Sequence, residues 1–365
     1  MLVLTNQVSS DQSAVWEAAD AAGPWEVHLC GPDPRDDIDA FVPSATRPAV
    51  RHVHRLEPKD ISRGRGHLWW VMPGLKRLII DVQPDLVHVN SEPWGLLVSQ
   101  ALLHHGAVVA HGCETRYTWG SKAERAVRHA MARRNLHRLA GFASWNEVGV
   151  VLARRNGLPA DAPTVVVPAI TAADTGVAPA PFHGPELVVG FVGRLLPEKG
   201  LPVLLDACSR LVRQGQAVRL TVVGDGPQAH LMRAEYPFSL DHRGQLGNAE
   251  TRAVMGQCDV LSVPSLTASH WEEQFGRVVV EAFAAGVPVI ASGSGALPEV
   301  LAAAGEIVPE GDPVALATAL GRFTDGTHRG ERAEASRERY ERHYSPVVLA
   351  NSLQDFWQRV CSQRG

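Results

Sequence analysis

The residues able to do chemistry gather in the second half of the chain. Glu281 stands inside the apolar run Val278-Val279-Val280-Glu281-Ala282-Phe283, and Glu273 precedes it with seven residues between, Gln274, Phe275 and Gly276 among them. An unpaired carboxylate in such a run costs several kcal/mol, so Glu281 requires a neutral donor, a cation or a ligand hydroxyl. Read alone, it fits a helix glutamate held by a structural partner equally well. Upstream lies Gly193-Arg194-Leu195-Leu196-Pro197-Glu198-Lys199-Gly200, where Lys199 is one of four lysines against thirty-one arginines. Gly193 permits close backbone approach. Positive charge at a helix start opposes the helix dipole, so Arg194 and Lys199 are expected to face an anion. Two cations beside exposed helix amides suit a diphosphate, and that reading is favoured over a solvated loop with charges at a helix start. No GxGxxG or Walker A pattern follows the first strand of either half, which weighs against dinucleotide and P-loop nucleotide sites.

Strands and helices must alternate to position these groups. In the first half, strands are read at 2–5, 25–29, 50–54, 85–90, 107–110, 142–145 and 164–167. Helices fall between them at 14–22, 68–81, 93–104, 121–139 and through Arg155. Pro73-Gly74 should kink or interrupt the helix at 68–81. Residues 171–185, rich in Ala, Pro and Gly, read as a linker. The alternation restarts with strands at 187–192, 218–223, 260–263 and 287–291, and with helices at 201–213 and from about Gly276. Helices at 313–323, 329–343 and 346–360 fill the remainder. This alternation predicts doubly wound parallel sheets, whose ligands sit beyond the carboxyl ends of the strands. Asn90 and His111 occupy such ends. A lone strand-end histidine is as well explained by a structural role.

Composition bounds the function. A chain of 365 residues is long enough for two cores, and 45% hydrophobic with 20% charged residues is ordinary for a soluble protein. A net charge of −4 gives no reason to expect nucleic acid as a partner. Five scattered cysteines, Cys30, Cys113, Cys208, Cys258 and Cys361, without CxxC spacing, read as reduced thiols, and no metal or cofactor is assigned. Met1 leads directly into a strand and no apolar run spans a bilayer, so a cytoplasmic location is expected. Arg63, Arg65, Trp69, Trp70, Lys76 and Arg77 surround an apolar stripe. They fit a helix packed on its sheet better than one lying on an anionic membrane surface.

Gly193-Arg194-Leu195 with Glu198-Lys199-Gly200, Gly224-Asp225-Gly226-Pro227, the Glu273 to Glu281 stretch, Ala285-Gly286-Val287-Pro288-Val289-Ile290-Ala291 and Leu297-Pro298-Glu299 stand in one order and spacing. In these motifs the chain resembles the retaining nucleotide-sugar glycosyltransferases of family 4. The likeness is dense over 187–300; over 1–170 it rests on topology, His111-Gly112 and Ser144-Trp145-Asn146-Glu147. It implies a GT-B fold of two Rossmann-like doubly wound parallel-sheet domains facing across a cleft. The first would span 1–172 on the acceptor side, with helix 346–365 packing back on it. A linker at 173–186 would lead to a nucleotide-sugar-binding domain at 187–345.

The resemblance also implies roles. Arg194 and Lys199 would bind the donor diphosphate and stabilise it as it leaves, taking the place of a divalent metal. Amides at Phe275, Gly276, Arg277 and Val278 would complete that cradle. Glu281 would accept the ribose hydroxyls, and Glu273 would hold the donor sugar near its anomeric carbon. Arg243, within Asp241-His242-Arg243-Gly244, would border the base. His111 would reach across to the transferred sugar, and closure of the domains would exclude water. The implied partners are a UDP or GDP type sugar donor and a small-metabolite or glycan acceptor. Departing from the family, the loop after the first strand reads Asn6-Gln7-Val8-Ser9-Ser10-Asp11, with no glycine. Glu114, Thr115, Arg116, Tyr117 and Trp119 are acceptor-side candidates, and equally a solvated loop. An epimerase or hydrolase using Glu273 with His111, or a non-catalytic partner of another transferase, are the alternatives.

Overall fold

Short runs rich in Val, Leu and Ala build the central strands of both sheets, and these runs are buried, as in a parallel sheet covered on both faces. The computed structural model describes residues 1–5, 13–32, 49–61, 69–116, 121–168, 184, 186–269 and 271–363. The chain forms two compact units, Met1–Ala172 with Pro346–Gly365, and Ala173–Ser345. Residues 173–183 and 185 of the expected linker lie outside the described residues.

The first unit contains β1 (Leu2–Leu4), α1 (Ala14–Ala22), β2 (His28–Gly31), β3 (His52–Arg55), β4 (Lys59–Asp60), β5 (Trp70–Val71) and α2 (Leu75–Val82). It continues through β6 (Val87–Val89), α3 (Leu96–His104), β7 (Val108–Gly112), α4 (Lys122–Leu136), β8 (Gly141–Ser144), α5 (Glu147–Arg155) and β9 (Thr164–Val166). Seven strands lie in the order β3-β2-β1-β6-β7-β8-β9, all parallel. Leu2, Leu4, Val87, Val89, Val108 and Ala110 from its centre pack with Trp94, Leu97 and Leu136 in one core. Ser121 and Glu124 form a reciprocal capping box that starts α4.

The expected helix over 68–81 begins only at Leu75. Pro73 lacks an amide hydrogen and Gly74 stands at φ 90°, so the chain turns there and helix follows. Before the turn, Trp70–Val71 pairs antiparallel with Lys59–Asp60 as a small hairpin. The helix then buries Leu75 and Ile79 and exposes Lys76 and Arg77, while Arg63 and Arg65 lie outside the described residues. Strand β2 starts three residues later than expected, at His28.

The second unit contains β10 (Glu186–Val192), α6 (Leu201–Arg213), β11 (Ala217–Val223), β12 (Ser239–His242), α7 (Asn248–Met255), β13 (Val260–Val263) and α8 (Arg277–Ala284). Then come β14 (Val289–Ser292), α9 (Leu297–Leu301), β15 (Glu306–Val308), α10 (Pro313–Arg322) and α11 (Gly326–His343). Its sheet is parallel in the order β12-β11-β10-β13-β14-β15. β12, α7 and β15 went unread in the sequence. Three- and four-residue edge strands with half-exposed faces carry little periodicity.

The last helix, α12 (Pro346–Ser362), completes the first unit. It buries Leu349, Ala350, Leu353, Phe356, Trp357 and Val360, and it packs on α1, where Trp357 stacks on Trp16 at 6.4 Å. Gln354 donates to the Ala19 carbonyl at 2.8 Å. Among the described residues no helix is long and apolar enough to cross a membrane.

Candidate active site

In the second sheet the winding reverses between β10 and β13, because β10 continues to β11 on one side and meets β13 on the other. Open α/β sheets bind ligands at such a switch point, beyond the strand carboxyl ends. Two loops leave those ends. The loop after β10 runs through Gly193 and Arg194 to a single 3-10 turn, Pro197–Lys199, and then to α6. The loop after β13 runs from Pro264 to Gly276, where α8 begins.

These loops are stitched together. The Leu266 amide donates to the Glu198 carbonyl at 2.8 Å. Gly200 stands at φ 70°, and a Cβ there would meet the Pro264 carbonyl oxygen at 1.8 Å, so only glycine lets the start of α6 lie against the second loop. That approach brings the Lys199 ammonium to 2.6 Å from Glu273 Oε2. Ser265 Oγ donates to the same oxygen at 3.0 Å, and the ammonium lies 4.7 Å from the Trp271 ring centre. Both charged side chains are largely buried, at 21% and 11% exposure. Each charge has given up hydration to make this contact, so removing one partner leaves a desolvated charge.

Around this pair the other expected residues take up distinct places. Arg194 is exposed and, among the described residues, has no ion-pair partner. Nothing would meet a Cβ at Gly193 within 4 Å, so that face of the loop is open. Gly276 caps α8 with no side chain, at φ 76°, and Leu297 would collide with a Cβ there at 2.6 Å. Phe275 is buried and meets Tyr344 edge to face at 6.1 Å. Gln274 and Val278 are half-buried beside it. Glu281 finds the cation that its apolar run demands in Arg277, one turn earlier and 3.8 Å away. Arg243, at the end of β12, pairs with Asp241 at 2.8 Å. Gly193, Arg194, Lys199, Glu273, Gln274, Phe275, Gly276, Val278 and Glu281 thus follow the carboxyl ends of β10 and β13. Arg243 follows the sheet edge. Trp271, Ser265 and Ser294 (whose Oγ lies 3.5 Å from the Glu273 amide) went unread, since no spacing ties a serine to a glutamate through a folded loop.

His111, at the end of β7, is placed differently from expectation. It is 2% exposed, and both ring nitrogens are engaged inside the first unit. The Trp357 indole donates to His88 Nδ1 at 3.1 Å, which leaves His88 Nε2 to donate to His111 Nδ1 at 3.1 Å. His111 Nε2 then donates to the Val167 carbonyl at 2.6 Å. Each donor has one acceptor, so both rings are neutral, and a further proton would find no acceptor. Burial lowers His111 to about 4 and His88 well below the ordinary histidine value. A nitrogen free to reach a transferred sugar is therefore not what His111 presents.

Beyond β6 and β7 lie two buried acids, Glu92 and Glu114. Glu92 Oε1 accepts the amides of Cys113 at 2.6 Å and Glu114 at 3.0 Å, and Glu114 Oε2 accepts the Trp94 indole at 3.1 Å. Burial raises Glu92, and burial with the Glu92 charge raises Glu114 well above the usual carboxylate range. Thr115 is also buried; Arg116 is half-buried. Tyr117, Trp119 and Asn6 to Asp11 lie outside the described residues.

Comparison with known proteins supplies the family. A profile described as Glycosyltransferase Family 4 matches residues 17–172, and one described as Glycosyl transferases group 1 matches residues 186–325. A 2-deoxystreptamine glucosyltransferase of Streptomyces kanamyceticus is 33% identical over 256 residues, 60% of this chain and 64% of the relative. A phosphatidyl-myo-inositol mannosyltransferase of Mycobacterium leprae is 35% identical over 178 residues, 47% of this chain and 46% of the relative. The chain spans between about half and two thirds of the length of these curated relatives. Among solved structures, sucrose-phosphate synthase from Thermosynechococcus elongatus matches with a TM-score of 0.71 at 19% identity, covering 99% of each chain. Anabaena HepE in complex with UDP and glucose matches with a TM-score of 0.65 at 17% identity, covering 98% of this chain and 99% of that one. These likenesses carry the fold, and the two profiles carry the family: the chain belongs to the family 4-like glycosyltransferases of the GT-B fold.

Proposed function

We propose that the protein moves a sugar from a nucleoside-diphosphate sugar, of UDP or GDP type, to an acceptor hydroxyl on a small metabolite, with retention and without a metal. The observation that carries this reading is the Lys199–Glu273 contact at the sheet's switch point. It sets a cation for leaving phosphates directly beside a carboxylate for sugar hydroxyls. In this reading Lys199 and the exposed Arg194 take the diphosphate charge that grows as the anomeric bond breaks, and fixed cations stabilise that state more than the ground state. Gly193 lets the phosphates approach, and Gln274, Phe275, Gly276 and Val278 bring the start of α8 to them. Glu273 orients the donor sugar, Glu281 takes the ribose hydroxyls, and Arg243 borders the base. His111 serves as a buried strut under the acceptor side. Relatives described as a glucosyltransferase and a mannosyltransferase support sugar transfer, as does the fold shared with a UDP- and glucose-bound protein.

A panel of UDP-, GDP- and dTDP-sugars, with nucleoside diphosphate release followed with and without candidate acceptors, tests the proposal. Release that depends on an acceptor is expected. Equal release without acceptor would assign a hydrolase instead, and no release with any donor would remove the catalytic reading.

A further inference from the structure

Three histidines and a glutamate meet at one edge of the first sheet, and none of them has a part in the transfer reading. β2 and β3 run parallel with His28 opposite His52 and Cys30 opposite His54, so the three imidazoles share a face. The His28 and His52 rings stack at 4.4 Å and 8°, and those of His28 and His54 at 5.3 Å and 9°. Glu26, two residues before His28, brings Oε1 to 2.6 Å from His52 Nε2 and 3.7 Å from His28 Nε2. One ligand atom from each of Glu26, His28 and His52 lies within 4.8 Å of the others.

We propose that Glu26, His28 and His52 form a binding site for a divalent metal ion of the zinc class. Two imidazoles and a carboxylate are a donor set that Zn2+ takes at about 2.0–2.2 Å, leaving a fourth position for water. Tetrahedral bonds of that length set ligand atoms roughly 3.3 Å apart, between the two separations seen here. Only side-chain rotation is needed to reach it, because Glu26 and His52 are 60% and 41% exposed. The better-buried His28 is already oriented. Its Nδ1 lies 3.0 Å from His54 Nε2, so with Nε2 on the ion the Nδ1 hydrogen has an acceptor waiting. Such an outer partner fixes the tautomer and the ring plane of a ligating histidine.

The place of the site says what the ion does. His28 and His52 open their strands at the amino end, whereas ligands of these sheets bind at the carboxyl ends. β3 is the edge strand, and between its first residue and that of β2 run twenty-three residues. An ion across them clips the edge strand to the sheet, so it stabilises the first unit and stays apart from the transfer chemistry.

Equilibrium dialysis of the untagged, chelator-stripped chain against Zn2+, with metal analysis, should find about one ion per chain. His52→Ala and Glu26→Gln alter exposed side chains, so circular dichroism should confirm their folding, and both should lose that ion. His54→Ala should bind ~10–100-fold more weakly, because it loses only the outer partner. Zn2+ should raise the melting temperature of the wild type by a few degrees and leave that of His52→Ala unchanged. No stoichiometric uptake, or uptake equal in wild type and His52→Ala, would overturn the site and assign the cluster to a Glu26–His52 hydrogen bond alone. Nucleoside diphosphate release does not enter this test, so its outcome is independent of the proposed transfer.

Discussion

At the residue scale the proposed chemistry rests on a single contact, Lys199 to Glu273. Its ammonium is the only described cation hydrogen-bonded to Glu273, so removing it leaves that buried carboxylate without a counter-charge. Lys199→Ala should lower turnover by roughly 100-fold or more, in line with the loss of one preorganised electrostatic group. Acceptor-dependent diphosphate release reads it directly, and a near-normal rate would remove Lys199 from the diphosphate role. His111 makes a prediction of the opposite kind, about stability. Its folded value of about 4 lies below the ordinary 6.5, so the fold prefers the neutral ring. The contribution is fully present above about pH 6.5 and is lost as pH falls toward 4, reaching about 3 kcal/mol at most. Urea midpoints compared at pH 7 and pH 5 should fall further for the wild type than for a His88→Gln, His111→Gln double variant. Parallel losses would mean that the two rings carry no such cost.

At the scale of elements, the approach of α6 to the loop after β13 is made by Gly200. Gly200→Ala must push its Cβ off the Pro264 carbonyl while holding φ near 70°, at a cost of about 1–3 kcal/mol. The melting temperature should fall, and the Michaelis constant for the donor should rise as Lys199 parts from Glu273. An unchanged donor constant would show that the two loops do not depend on this approach. The loop after β7 is held instead by two buried acids. Glu114 is raised, so the fold prefers its protonated form, and the stability cost grows as pH climbs from the usual carboxylate range through the raised value. Glu114→Gln keeps an acceptor for the Trp94 indole and removes the charge. It should be more stable than the wild type at pH 8 and converge with it near pH 4, as thermal melts would record.

For the whole molecule, the first unit is completed by the end of the chain. Trp357 of α12 is fully buried, stacks on Trp16 and supplies the donor that sets the His88 and His111 tautomers. Trp357→Ala should cost about 3–5 kcal/mol through the cavity alone, with more from the orphaned His88 Nδ1. Calorimetry should show the loss in the melting of the first unit, while the second unit, whose core shares no residue with it, keeps its own transition. One unchanged transition would mean that α12 is not part of the first core.

Periodicity and punctuation alone determined the alternating α/β plan, because hydrophobic runs of strand length bounded by Gly and Pro admit few other readings. The order of motifs from Gly193 to Glu299 likewise marked the half in which the charged candidates lie. Three things waited for the tertiary structure. Lys199 and Glu273 are seventy-four positions apart and meet only because Gly200 lets two loops touch. His111 looked available from its strand end, yet His88 and the Val167 carbonyl take both of its ring nitrogens. Glu26, His28 and His52 carry no ligand spacing in the chain, since strand pairing across the sheet edge, and not sequence distance, brings them together. Periodicity reports which face a residue takes, but only packing decides what stands opposite.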